Sequence, residues 1–177
     1  MIGAALTRRR RRSGVRIATT TVETITTAAG TTNVESVFGP SGNDREMLAQ
    51  GFTVVTGGQL YQFTITIANG SSPTDSFAFS IHSTLAGAAL GSGTIAASSM
   101  NTTLQDRTVT LGAPLQLTPG SYFVVFSRTG ARDATNRYTL AYNNTAPYAG
   151  GSAWVRASGV WTEQTARDYR VVLPLKV

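Results

Sequence analysis

With 177 residues, 41% of them hydrophobic and 14% charged, the chain is long enough for one domain with a real core. It has no cysteine, which removes disulfides and thiolate metal sites, and no apolar run approaches the roughly 18 residues of a membrane span. The net charge of +6 is local: Arg8, Arg9, Arg10, Arg11, Arg12 and Arg16 are six of the 15 basic residues, so from Ile17 onward nine basic residues face nine acidic ones. A basic nucleic-acid-binding face on the folded part is therefore not expected.

Residues 1–16 read as a basic arm. Five consecutive arginines repel one another and order only against a partner. The short apolar stretch Met1–Thr7 precedes the charge, the reverse of a signal peptide, so Sec export is not expected. Residues 17–47 form an extended, Thr-rich connecting and docking segment, with Val22, Thr24 and Thr26 alternating, then Val34 and Phe38, then a Gly39–Asp44 loop.

From Leu48 to Val177 the pattern is that of a β domain. Phe52–Val55 leads through Gly57-Gly58 into Leu60–Ile67, where Tyr61, Phe63, Ile65 and Ile67 share a face. Phe77, Phe79 and Ile81 oppose Ala78, Ser80 and His82. A glycine-rich stretch carries a short strand near Thr94-Ile95, and Arg107–Leu111 follows. Leu115–Ser127 reads as a hairpin around Pro119-Gly120, a type II turn by residue choice. Its second strand is apolar on both faces, with Tyr122, Val124 and Phe126 on one and Phe123 and Val125 on the other, and this predicts a central position. Arg137–Tyr142, the Trp161 region and Arg167–Leu175 complete the set. About eight to ten short strands with almost no helical periodicity predict an all-β jelly roll or β-sandwich.

Candidate chemistry is thin. A hydrolase triad needs a positioned base, and the only histidine, His82, lies beside Ser80 and Ser83 with no Asp in local register. Paired carboxylates for glycoside hydrolysis are represented at best by Glu163 and Asp168. Asp168 is expected instead to accept backbone hydrogen bonds or to pair with Arg167 or Arg170. Asn43-Asp44 and Asp133 lack the stepped oxygens of a calcium loop, and Gly57-Gly58 and Gly150-Gly151 fall at hairpin turns rather than in phosphate loops. No catalysis, metal or cofactor is expected. Tyr142, Tyr148, Trp154 and Trp161 remain as possible glycan-binding aromatics. For the tryptophans the competing reading is closure of the two ends of the core.

Four segments in order, Leu48-Ala49-Gln50-Gly51-Phe52-Thr53-Val54, Leu115-Gln116-Leu117-Thr118-Pro119-Gly120-Ser121-Tyr122-Phe123, Tyr148-Ala149-Gly150-Gly151, and Gly159-Val160-Trp161 followed by Asp168-Tyr169, carry a resemblance. Over residues 48–177 the chain resembles the jelly-roll module of phage virion proteins and of bacterial surface proteins of the choice-of-anchor type. The resemblance implies a non-catalytic scaffold for attachment or display. With no signal peptide or sorting anchor expected, it points to the phage branch: a virion structural protein assembled in the host cytoplasm, either a capsid decoration or head spike, or a tail or fibre component. Its expected partners are other virion proteins within a symmetric or homo-oligomeric assembly. Arg8–Arg12 and Arg16 would anchor in an acidic groove of capsid or tail subunits in preference to nucleic acid, since sixteen residues at about 3.3 Å each reach across a shell only if fully extended. The rival reading is a carbohydrate-binding module for host surface glycans.

Overall fold

The computed structural model describes residues 20–28, 33–39, 45–145 and 148–177. Arg8–Arg12 and Arg16 lie outside them. Among the described residues the strands run in the order β1 (Thr21–Thr26), β2 (Asn33–Val37), β3 (Met47–Val54), β4 (Gly58–Asn69), β5 (Ser76–His82), β6 (Gly91–Ala96), β7 (Gln105–Leu117), β8 (Gly120–Arg128), β9 (Tyr138–Asn143), β10 (Ala153–Ala157), β11 (Val160–Gln164), β12 (Asp168–Tyr169) and β13 (Val171–Lys176). One 3-10 turn, Ala97–Ser99, is the only helical piece among them. One sheet runs β1–β13–β4–β9–β12, with β2 also on β9 and β7 also on β4; the other runs β11–β10–β3–β8–β5–β6. All pairings are antiparallel, and the two sheets pack face to face as a β-sandwich.

The segment set apart from the domain by its Thr-rich sequence supplies strands to the sandwich. β1 pairs with β13 and β2 with β9, so among the described residues the first sheet includes two strands that precede Leu48. Threonine and valine fit a half-covered pleated surface, which is why the stretch pairs within its own chain.

Period two explains which side chains fill the interior. Phe77, Phe79 and Ile81 of β5 and Val124 and Phe126 of β8 point inward from the second sheet, and Phe63, Ile65, Ile67, Val171, Leu173 and Leu175 do so from the first. Phe63 meets Phe79 edge-on at 5.1 Å, and Phe77 stacks on Phe126 at 5.9 Å. Tyr61 departs from the expected face. The register against β7 shifts between Leu60 and Gln62, and this bulge turns Leu60 inward, leaving Tyr61 half-buried. A simple alternation count has no access to such an insertion.

The Leu115–Ser127 hairpin does not form. β7 lies in the first sheet on β4, whereas β8 lies in the second between β3 and β5, so Pro119-Gly120 carries the chain from one sheet to the other. Gly120 has φ 155°, well away from the roughly +80° of a type II turn. Gly57-Gly58 makes the neighbouring crossing, from β3 to β4, and is likewise no hairpin turn. Gly58 stands opposite Leu117 and Val54 opposite Gly120, so the two crossings run side by side. The β3–β4 crossing is capped by Glu23, whose carboxylate accepts the backbone N–H groups of Val55, Thr56 and Gly57 at 2.8, 2.9 and 3.3 Å. β8 is central, as its two apolar faces predict, with Tyr122 half-buried at its start.

Gly150-Gly151 also has another role. The loop before β10 crosses Gly51 of β3 so closely that a Cβ at Gly151 would lie 2.3 Å from the Gly51 carbonyl oxygen. The Gly51 N–H donates to the Ser152 carbonyl at 2.8 Å in the same crossing. Gly151→Ala is therefore expected to cost roughly 1–3 kcal/mol, the range for overpacking a tight contact, read as a lower urea midpoint at unchanged slope. A variant as stable as the parent would show that the loop stands clear of β3.

Candidate functional site

The alternation that sends phenylalanines inward sends a different set outward from the second sheet. Ser80 and His82 on β5, Phe123, Val125 and Ser127 on β8, Met47 and Ala49 on β3, Trp154 and Arg156 on β10, and Trp161 and Glu163 on β11 share the outer face. Register fixes their neighbours. One row runs Ser80, Val125, Ala49, Trp154, Glu163 across five strands. Beside it run Met47, Arg156 and Trp161. At a strand spacing of about 4.8 Å, β5 to β11 spans roughly 19 Å.

Both tryptophans of the chain are on this face, half-buried, and neither closes an end of the core. Trp154 meets Phe123 edge-on at 6.3 Å. The hairpin that carries Trp161 turns tightly at Ser158-Gly159, both with positive φ (49° and 78°), as a two-residue type I′ turn requires. Glu46, only 4% exposed, sits behind that turn. Its carboxylate accepts the Gly159 N–H at 3.1 and 3.2 Å and faces the Arg156 guanidinium at 3.2 Å.

A groove of about 440 Å³ crosses the face. Trp161, Arg156 and Gly159 form one end, Met47, Val125 and Ser127 the floor, and Ser80, His82, Leu85 and Ala86 the other end. A smaller hollow of about 180 Å³ lies beside Trp154, Phe123 and Glu163. His82 is held at both nitrogens, with Nδ1 2.9 Å from the Gly87 carbonyl and Nε2 2.8 Å from Ser80 Oγ. A carbonyl only accepts, so Nδ1 carries the proton; in the neutral ring Nε2 then accepts a hydrogen bond from the Ser80 hydroxyl. A backbone carbonyl, not a carboxylate, orients the ring, unlike a hydrolase triad.

The two tyrosines do not join the tryptophans. Tyr142 lies in the first sheet, beneath the Arg167 guanidinium at 5.0 Å and edge-on to Tyr169 at 6.3 Å. Tyr148 packs against the core, its N–H donated to Asp168 and its hydroxyl 3.4 Å from the Thr53 nitrogen. Neither lines the groove. Phe123 and Arg156 belong to the face but carry no sign of it in sequence beyond their alternation with buried neighbours.

Among the described residues three acidic side chains, Glu35, Glu46 and Asp168, are buried. Asp168 is fully buried and accepts from Tyr148 and from Gln50 Nε2 at 2.8 Å. Arg167 goes to Glu35 at 2.8 Å and Arg170 to Asp106 at 3.0 Å, so of the expected Asp168 partners the backbone is the one found. Burial pushes the Asp168 carboxyl up despite these two bonds. Glu163 stands on the outer face while Asp168 is interior, so they do not form a facing pair. Glu35 also holds Arg45 at 2.8 Å and the Tyr169 hydroxyl at 3.0 Å. Burial, then the Glu35 charge, drives that phenol well above its ordinary range.

Among the described residues no cluster of His, Cys, Asp or Glu is arranged to hold a metal, and no helix is long and apolar enough to cross a membrane. No protein-family model matches the chain, and no match is found among curated proteins.

Proposed function

We propose that the protein is an attachment domain that binds surface glycans through the outer face of its second sheet. The observation that carries this reading is the placement of both tryptophans, with Phe123, on the solvent side of a sheet whose core is already filled from the other face. Large aromatics there contribute little to the interior. They supply flat apolar surface against which the C–H face of a sugar ring packs, while Ser80, Ser127 and Arg156 offer hydrogen bonds to its hydroxyls. A concave, mostly apolar groove with a few placed polar groups is the ordinary form of a small-ligand site.

The resemblance to virion modules supports placing this domain on a phage particle, as a capsid decoration or tail component. In that reading Arg8–Arg12 and Arg16 dock the arm on acidic surfaces of neighbouring virion proteins and leave the aromatic face outward. The reading is one of binding without catalysis, in keeping with a His82 that lacks a carboxylate partner.

The test is retention of the full chain on a glycan array, followed by titration with the best ligand. Both Trp161→Ala and Trp154→Ala are expected to fold normally; Trp161→Ala should weaken binding about thirtyfold, the effect of losing a 2 kcal/mol hot spot, and Trp154→Ala less. Binding unchanged in both variants, or no glycan retained by the parent, contradicts the proposal.

A further inference from the structure

We infer that the groove takes an acidic oligosaccharide, its carboxylate held by Arg156 and the ring that bears it stacked on Trp161. This rests on the glycan reading above and adds the ligand's charge and length.

Charge complementarity is the first ground. The domain beyond the arm is neutral, yet the groove wall contains a guanidinium and no carboxylate. The nearest acid, Glu46, is behind the wall. It braces Arg156 from one side at 3.2 Å and is itself fixed by the Gly159 N–H. A guanidinium so braced keeps its other N–H groups in a rigid fork, which fits a carboxylate in two parallel bonds. The opposite tip, Nη2, lies 3.8 Å from where a Cβ on Gly159 would stand, so the missing side chain leaves that edge open.

Geometry is the second ground. Arg156 and Trp161 are directly opposite on β10 and β11, which puts their Cβ atoms about 4.5–5.5 Å apart. A ring lying on the indole thus brings a substituent on its edge to the guanidinium. Length is the third. Ser80 and His82 are three strands away from Arg156, roughly 14 Å at the usual spacing, further than one pyranose ring extends. Met47 and Val125 give the intervening floor an apolar character suited to C–H faces. Because the Ser80 hydroxyl proton is engaged by His82, its oxygen faces the groove as an acceptor for a sugar hydroxyl.

The probes are a trimer of α-1,4-linked galacturonic acid and 3′-sialyllactose, each titrated beside its neutral counterpart, the carboxyl-reduced trimer and lactose. The full chain should bind at least one acidic ligand ten times or more tighter than its neutral counterpart, with affinity falling as NaCl rises. Arg156→Gln should bring the acidic ligand to the level of the neutral one, whereas Trp161→Ala should weaken both. Equal binding of acidic and neutral ligands by the parent, a comparison that needs no variant to fold, overturns the charge assignment and leaves the glycan reading standing. Preference for the acid that survives Arg156→Gln overturns it as well. If no member of either pair binds, and the array also retains nothing, the glycan reading fails along with it.

Discussion

Phe126→Ala is expected to cost about 3–5 kcal/mol of folding stability, the usual loss for a fully buried aromatic in a packed core. Phe126 is 0% exposed on β8, the strand between β3 and β5, opposite Leu48 on one neighbour and Phe79 on the other. Its ring stacks on Phe77 and meets Tyr169 of the opposing sheet edge-on at 6.2 Å, so truncation opens a hole between the two layers. Urea denaturation reads the loss directly. A cost below about 1 kcal/mol would mean that β8 is peripheral to the core.

Arg128→Met is expected to cost roughly 3 kcal/mol, because it removes a buried cation from the half-buried Asp75 carboxylate. Arg128 at the end of β8 is 7% exposed. It forms a two-pronged pair with Asp75, with Nε at 2.8 Å from one carboxylate oxygen and Nη2 on the other. Its Nη1 reaches the carbonyls of Asn136, Asp133 and Phe38 at 2.6, 3.3 and 3.5 Å, tying three pieces of loop to the sheet. A methionine fills the space of the stem but leaves Asp75 and those carbonyls without the cation.

The same pair sets a pH signature. Burial alone raises the Asp75 carboxyl, but the Arg128 hydrogen bond and charge and the Gly130 N–H outweigh it and hold the group below its ordinary value. A carboxyl depressed on folding contributes stability that is present above its unfolded pKa, about 3.9, and is lost as pH falls through the folded value. Asp75→Asn should therefore flatten the acid limb of the stability curve below about pH 4. Asp168 works in the opposite sense. Its pKa is raised by burial, so its contribution favours folding at low pH and is lost as pH rises from its unfolded value through the folded one. Acid-limb melts in which Asp75→Asn follows the parent would contradict the account of this pair.

The all-β class and the inward sets on β5 and β8 could be read from sequence because period two depends only on neighbouring residues. What could not be read were features that depend on partners far along the chain. Leu115–Ser127 has every local property of a hairpin, yet β7 finds β4 and β8 finds β3 and β5. Turn chemistry does not distinguish a return within a sheet from a crossing between sheets. Tyr61 was displaced by a bulge whose cause lies on β7. The candidate site was half legible: Trp154 and Trp161 stood out as residues, but their common face follows from the β10–β11 register and the tight Ser158-Gly159 turn. Tyr142 and Tyr148 stood out equally and lie elsewhere, because Tyr142 belongs to β9, paired with β2 and β12 in the first sheet, and Tyr148 is tied through its N–H to the buried Asp168, all partners remote in sequence.

The chain's two tryptophans make the outer face directly observable, since each contributes one indole N–H signal to a nitrogen-15 correlation spectrum. Titration with the acidic oligosaccharide should move the Trp161 indole signal strongly and the Trp154 signal less, with the backbone amides of Phe126 and Leu173 in the core unmoved. Saturable binding that leaves both indole signals in place would put the ligand on another surface and contradict the assignment of this face.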